Sequence, residues 1–271
     1  MDPKQLMQKM LKITQEAAQQ SMKYFGKVRA HLKADQSLVT KADEEIQGLL
    51  FLNLSGLIPN SGFIGEENRD DSNTLALARR AEYTWVVDPI DGTAVFSSGI
   101  PTFGISVGLL RDGLPFAGAI VFPALGLAYY ALKGLGAFKN GELISVRKVL
   151  PPLDGDYICL SRNAHQYFDI VYPGKILIFG STTYNFSLVA EGAVVGAIGR
   201  SHVWDHAATS AIICEAGGIV RHQDGSEIDW CKALNGELIL PPVTAASPQL
   251  DRKSTRLNSS HSSVSRMPSS A

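Results

Sequence analysis

Trp85-Val86-Val87-Asp88-Pro89-Ile90-Asp91-Gly92-Thr93 is the stretch on which the fold turns. Its apolar opening reads as a buried β-strand. The Asp-Pro and Asp-Gly steps behind it stop a strand, because Pro has no amide hydrogen and Gly reaches backbone angles closed to other residues. The expectation is a strand-to-turn junction with Asp88 and Asp91 on the turn. Two carboxylates aimed into one small volume repel strongly unless cations or protons compensate them. A divalent metal is the natural compensator. Gly92 and Thr93 add backbone N–H groups and a hydroxyl suited to an anion beside that metal, and together the two sites point to phosphate chemistry.

Upstream, Leu6, Met10, Ile13, Ala17, Met22 and Phe25 recur at helical spacing, which predicts an amphipathic helix from about Gln5 to Phe25. A second helix starts near Thr40 and runs towards Pro59, with Asp43 and Glu44 in its first turn. Asp43 taken alone is the acid of a Thr-x-x-Asp capping arrangement. Phe63-Ile64-Gly65-Glu66-Glu67 reads as an extended segment whose two acids face opposite ways, or as a solvated loop.

Downstream, Phe103–Leu110, Pro115–Phe122 and Leu127–Leu132 read as consecutive antiparallel strands, followed by a glycine-punctuated loop or hairpin over Lys133–Gly141. The pattern then alternates: strands at Tyr157–Leu160, Ile176–Phe179 and Val194–Ile198, helices at Ala164–Ile170, Thr183–Glu191 and Ala207–Ala216. A boundary near Pro151–Gly155 separates an α+β half, residues 1–150 with the acidic motifs, from an α/β half, residues 151–250. The Ser-rich segment 251–271 reads as a disordered, non-native tail. If it replaces a terminal helix, Ile228, Leu234 and Leu238 are expected to lie uncovered.

The 271 residues, 45% hydrophobic, suffice for one large domain or two intimate halves. A net charge of −1 leaves no electrostatic footprint for a nucleic-acid polymer. Three cysteines without CxxC spacing favour neither disulfides nor a zinc ribbon, and fit a reducing cytoplasm. No secretory pattern opens the sequence. The uncharged run Leu114–Leu132 is long enough to raise a membrane span, but Pro115, Pro123 and its glycines read as two buried strands, so no membrane partner is expected.

A second cluster, Ser201-His202-Val203-Trp204-Asp205-His206-Ala207-Ala208, places an acid at the mouth of a small-residue helix. Asp205 there is either a helix cap or a site acid. His202 and His206 have zinc-helix spacing without a third ligand, and read as packing or substrate-shell residues.

Together, Gly65-Glu66-Glu67, the Asp88–Thr93 run and Trp204-Asp205 with Glu215-Ala216-Gly217-Gly218 resemble the inositol monophosphatase family, part of the lithium-sensitive, magnesium-dependent phosphatase superfamily. The resemblance covers about residues 5–247 and implies a layered αβαβα sandwich. It implies two or three Mg²⁺ held by Glu66, Asp88, the Ile90 carbonyl, Asp91 and Asp205. Asp43, Thr93 and Glu67 would direct the attacking water, and Gly92 and Thr93 would hold phosphate oxygens. Asp91, Asp205, Gly180, Ser181, Thr182 and the position of Ile198 would face the substrate, a small phosphate monoester, in a homodimer.

The sequence also departs from the family. Val95 stands where an Asn is usual, and Ile198 where an inositol-reading acid is usual, which argues against myo-inositol phosphate. Arg200, His202 and Gly180–Thr183 are then candidate readers of another polyol or a second phosphate. An inositol phosphate or a related polyol or sugar phosphate is the expected substrate class, fructose-1,6-bisphosphate, histidinol phosphate and 3'-phosphonucleotides stay open beside inositol-1-phosphate, and a regulatory homologue without turnover is the alternative from another class.

Overall fold

The computed structural model describes residues 2–28, 31–32, 38–68, 71–148, 155–162, 164–166 and 170–248. The expected tail 251–271 and most of the expected boundary at 151–155 lie outside them. In chain order the elements are α1 (Pro3–Ser21), β1 (His31–Leu32), β2 (Leu38–Val39), α2 (Lys41–Ser55), β3 (Gly62–Gly65), α3 (Ser72–Arg80), β4 (Tyr83–Asp91), α4 (Thr93–Ser97), β5 (Gly104–Arg111), β6 (Leu114–Phe122), β7 (Leu127–Leu132), β8 (Ala137–Lys139) and β9 (Glu142–Ile144). They continue with β10 (Tyr157–Leu160), β11 (Lys175–Leu177), α5 (Thr182–Ala190), β12 (Gly196–Gly199), α6 (Val203–Glu215), β13 (Ile219–His222), α7 (Trp230–Ala233) and β14 (Val243–Ala246).

Strands β3 to β9 form a seven-stranded sheet in chain order, and a five-stranded sheet runs β11-β10-β12-β14-β13. Helices α1 and α2 cover one face of the larger sheet, α6 packs on its other face, and α5 lies between α6 and the smaller sheet. The mixed, layered fold is the one expected. It explains why Trp85-Val86-Val87 is apolar without a break. Trp85 and Val87 enter the core under α1 and α2, and Val86 enters the core shared with α5 and α6, so a strand covered on both faces has no polar side to show.

The loop or hairpin expected over Lys133–Gly141 is a hairpin, β8–β9, that runs on to Ile144 and is turned by Asn140 at φ 49° and Gly141 at φ 91°. Four expectations need correction. Helix α1 stops at Ser21, and residues 22–27 form turns. The predicted helix Ala164–Ile170 is, among its described residues, only a 3₁₀ turn over Ala164–Gln166. The sheet of the second half is mixed rather than the all-parallel sheet of an α/β layer, because β14 inserts antiparallel between β12 and β13. Ile228 and Leu234 are buried in the core shared with α6, leaving only Leu238 exposed of the three expected to be uncovered. The run Leu114–Leu132 spans β6 and β7, and no helix among the described residues is long and apolar enough to cross a membrane.

Candidate active site

The acidic run of β4 is not a turn. The pairing of β4 with β5 is regular up to Asp88↔Ser106 and resumes at Asp91↔Gly104, so β4 carries one extra residue there. In a regular strand, residues three apart point to opposite faces. The bulge adds one residue and brings both carboxylates to the same side. Pro89 sits in it, where a missing N–H costs no ladder bond, and Asp88 Oδ1 accepts the Ile90 N–H at 3.0 Å.

Asp205 arrives from α6, which begins four residues earlier than expected, at Val203. It is therefore not the N-cap residue. It occupies the third helical position and reaches back to accept the His202 N–H at 2.8 Å. Two glycines set how close α6 approaches. Gly108 and Gly118 are register partners on β5 and β6, and a Cβ on Gly118 would stand 2.4 Å from the Ala208 carbonyl oxygen, one on Gly108 2.7 Å from the Ala207 Cβ.

The carboxylates of Asp88, Asp91 and Asp205 offer ligand oxygens that all lie within 4.8 Å of one another, and all three residues are buried. Burial pushes Asp88 well above the usual carboxylate range, and the charges of Glu66, Asp91, Asp205 and Asp43 push it further. Burial and then Asp91 raise Asp205 well above that range, while the His202 N–H and the Arg162 guanidinium pull it back. Asp91 is also raised by burial, against hydrogen bonds from Ser181, Thr183 and Thr182 that favour its charged form. The donor set is entirely hard carboxylate oxygen, the chemistry that suits Mg²⁺.

Glu66 stands outside that tight triad, yet its charge is felt by both Asp88 and Asp205. Residues Glu66–Asn68 form a 3₁₀ turn rather than an extended segment. Asn68 Oδ1 accepts the Gly65 N–H at 2.7 Å and Gln47 Oε1 accepts the Glu67 N–H at 2.9 Å, so side chains hold the turn that aims the two acids. The sequence reading missed Gln47, whose signal is a polar side chain on the buried face of α2. Glu67 lines a cavity of about 400 Å³ with Glu44, Gln47, Phe51 and Phe63.

Asp43 divides its two oxygens. Oδ2 accepts the Thr40 N–H at 2.7 Å and the Thr40 hydroxyl at 2.6 Å, completing the cap of α2. Oδ1 lies 3.4 Å from the Thr93 hydroxyl, which also lies 3.3 Å from the Ile90 carbonyl oxygen. Capping and site geometry are thus compatible in one carboxylate. Gly92 adopts φ 86°, ψ 45° at the start of α4. A Cβ there would meet Val95 at 2.8 Å, and one on Gly180 would meet Val95 at 2.6 Å, so Val95 is an apolar spacer between these two glycines.

The remaining expected readers separate. Ser181 and Thr182 engage Asp91. Ile198 is a half-buried residue of β12, paired with Leu160 and Thr244. The His202 ring stacks on Trp204 at 4.6 Å. His206 is fully buried, 2.8 Å from the Ser201 hydroxyl and against Phe186, so the half-buried His202 and the core His206 make separate contacts rather than converging on one ion.

These shifts predict how the metal-free protein responds to pH. Asp88, Asp91 and Asp205 have folded pKa values raised above the unfolded one. The stability they contribute is full below the unfolded value of 3.8 and is lost as pH rises through the folded values. His206 runs the other way: burial lowers it from 6.5 to about 3, so its contribution is present above 6.5 and is lost as pH falls towards 3. In chelator, the melting temperature of Asp88→Asn should therefore exceed that of the wild type by a margin that widens from pH 5 to pH 8, and a constant margin would contradict the charge argument.

Residues 3–255 match the family described as "Inositol monophosphatase family". The chain is 31% identical over 218 residues to a histidinol-phosphatase of Chlorobaculum parvum, covering 77% of this chain and 82% of that protein. It is 31% identical over 237 residues to an inositol-1-monophosphatase of Mesorhizobium japonicum, covering 82% and 87%. The crystal structure of the extragenic suppressor protein suhB of Bartonella henselae superposes with a TM-score of 0.75 at 25% identity, covering 93% of this chain and 97% of that one.

Proposed function

Because the chain belongs to the inositol monophosphatase family, whose members hydrolyse phosphate monoesters, we propose that this phosphatase depends on Mg²⁺ and acts on an inositol phosphate or a related small polyol or sugar phosphate. The observation that carries the metal reading is the buried triad of Asp88, Asp91 and Asp205, with oxygens within 4.8 Å of one another. Buried acids that repel each other need a counter-charge, and oxygen donors from three separate positions offer it a cage. Glu66 and the Ile90 carbonyl complete the proposed ligand set. Two or three bound Mg²⁺ would supply a water of lowered pKa and neutralise charge on the phosphate and the leaving oxygen.

The protein's own part in the reaction is positional. Thr93 and Asp43 take the proton of the attacking water and fix its line of approach, with Glu67 assisting through a further water. Gly92 and Thr93 offer N–H groups to the phosphate oxygens at the start of α4. Residues 1–150 would then carry the proposed metal ligands apart from Asp205, and residues 151–250 would close the site with α5 and α6. A homodimer in the cytoplasm, inhibited by Li⁺, completes the reading.

The relatives' names include a phosphatase of histidinol phosphate and one of inositol-1-phosphate at equal identity, and Ile198 puts no hydrogen-bonding side chain where an inositol-reading acid is usual. A phosphate-release panel decides the substrate: inositol-1-phosphate, fructose-1,6-bisphosphate, histidinol phosphate and 3'-phosphoadenosine nucleotides, each with and without Mg²⁺. One monoester is expected to exceed the others in kcat/KM by about tenfold or more, since each satisfied hydrogen bond to the substrate contributes about 1–3 kcal/mol. Release that does not need Mg²⁺ overturns the metal reading. Ligand-induced stabilisation with no release on any substrate leaves the binding homologue standing instead.

A further inference from the structure

Asp91 joins two parts of the molecule that lie 90 residues apart in sequence. At the end of β4 it belongs to the acidic triad. The same carboxylate caps α5. Its Oδ2 accepts the Ser181 hydroxyl, the Thr183 N–H at 2.8 Å and the Thr183 hydroxyl at 2.5 Å. Among the described residues, its Oδ1 accepts one hydrogen bond, from the Thr182 N–H at 3.2 Å.

The first N–H groups of a helix have no partner within it. In α5 those of Thr182 and Thr183 go to Asp91, and that of Tyr184 goes to Ser181 Oγ at 3.0 Å. The Ser181 hydroxyl is therefore committed twice, as donor to Asp91 and as acceptor from Tyr184. Ser181 and Thr183 are both buried. This is a non-local helix cap, built by a side chain from the opposite sheet.

A carboxylate carries about four lone-pair directions over its two oxygens. Three donors converging on Oδ2 exhaust that oxygen, and one long hydrogen bond leaves Oδ1 with room for a cation. We propose that Ser181 and Thr183 are positioning residues that make Asp91 a one-oxygen metal ligand: they saturate Oδ2 and leave Oδ1 to the cation. The proposal rests on the metal reading above. It moves Ser181 from the substrate shell to the support of a ligand, and gives Thr183 a role of its own. Losing a partner that orients a ligating carboxylate typically weakens metal binding by about ten- to a hundredfold.

The test is direct Mn²⁺ binding to the resting protein, with free Mn²⁺ read by its electron paramagnetic resonance signal. Thr183→Val keeps the shape of the side chain and removes the hydroxyl donor; Ser181→Ala removes the other. Each should weaken Mn²⁺ binding by about ten- to a hundredfold, and Thr183→Ser should restore it to within a few-fold. At saturating Mn²⁺ the KM for the monoester should stay at the wild-type value in both variants. Melting in chelator reports whether each variant is folded. Should Thr183→Val fail to fold, Ser181→Ala carries the same expectation through the same oxygen. Wild-type Mn²⁺ affinity in a folded variant overturns the proposal, as does unchanged affinity with a raised KM, which would return these residues to the substrate. A wild type that takes up no Mn²⁺ would instead sink the metal reading, and the proposal with it.

Discussion

Asp88→Asn is expected to lower Mg²⁺-dependent phosphate release by roughly 10³-fold or more and, in the same protein, to raise the melting temperature measured in chelator. The two effects share one cause. Asp88 is buried and faces Glu66, Asp91, Asp205 and Asp43, so its charge is costly until a cation arrives. Removing that charge would deprive the proposed metals of one of their carboxylate ligands. Losing about 4 kcal/mol of transition-state charge stabilisation corresponds to about three decades in rate. Relief of roughly 2 kcal/mol of buried repulsion moves the midpoint of a chain this size by about 4–8 °C upward. Phosphate release assays and melting curves in EDTA check the pair. Wild-type turnover in Asp88→Asn would sink the catalytic assignment, and a lower melting temperature would sink the electrostatic one. Asp43→Asn should behave differently, losing about 10²-fold in rate with a far smaller loss of Mn²⁺ affinity than Asp88→Asn, because its oxygens go to Thr40 and Thr93 and only its charge is felt at Asp88.

Gly118→Val is the second large effect. No side chain fits at this position: the Cβ alone would stand 2.4 Å from the Ala208 carbonyl oxygen and 2.9 Å from the Ala208 Cα. Backbone cannot swing aside as a flexible side chain can, so α6 must move off the sheet. The expected cost is about 3 kcal/mol or more, at the upper end of overpacking. Activity should fall further than the folded fraction does, because α6 carries Asp205 into the triad. Denaturant unfolding and assays at matched folded concentration separate the two losses. Gly48→Ala is the control. A Cβ there meets nothing within 4 Å, and inside α2 it should stabilise by about 0.5–1 kcal/mol. Equal tolerance of Gly118→Val and Gly48→Ala would refute the close approach.

Much of the site was legible because its signals are local. The apolar run before Asp88 announced a strand, and Thr40 announced the start of α2, which the observed cap confirms. The antiparallel pairing of β5, β6 and β7 followed from short apolar runs separated by turn residues. Period and punctuation are properties of neighbouring residues, so they can be read without the fold. The start of α6 was misplaced because the residues before Ala207 look polar and turn-like; what makes Val203 and Trp204 helical is their burial in the core, a tertiary fact. At Ala164–Gln166, the described start of the segment read as a helix over Ala164–Ile170, the chain forms a 3₁₀ turn, since a pattern of seven residues is too short to hold a helix alone.

The opening stretch divides the same way. The residue types alone determined that two acids, a proline, a glycine and a threonine close a buried strand, and that this chemistry asks for a cation beside an anion. Only the tertiary structure decided that the strand continues through a bulge, with Asp88 and Asp91 on one side of it. It also decided that Asp205 enters over a pair of glycines, and that Asp91 caps a helix about 90 residues away in sequence, chiefly through one oxygen. Register and helix approach depend on partners remote in sequence, and no local pattern encodes them.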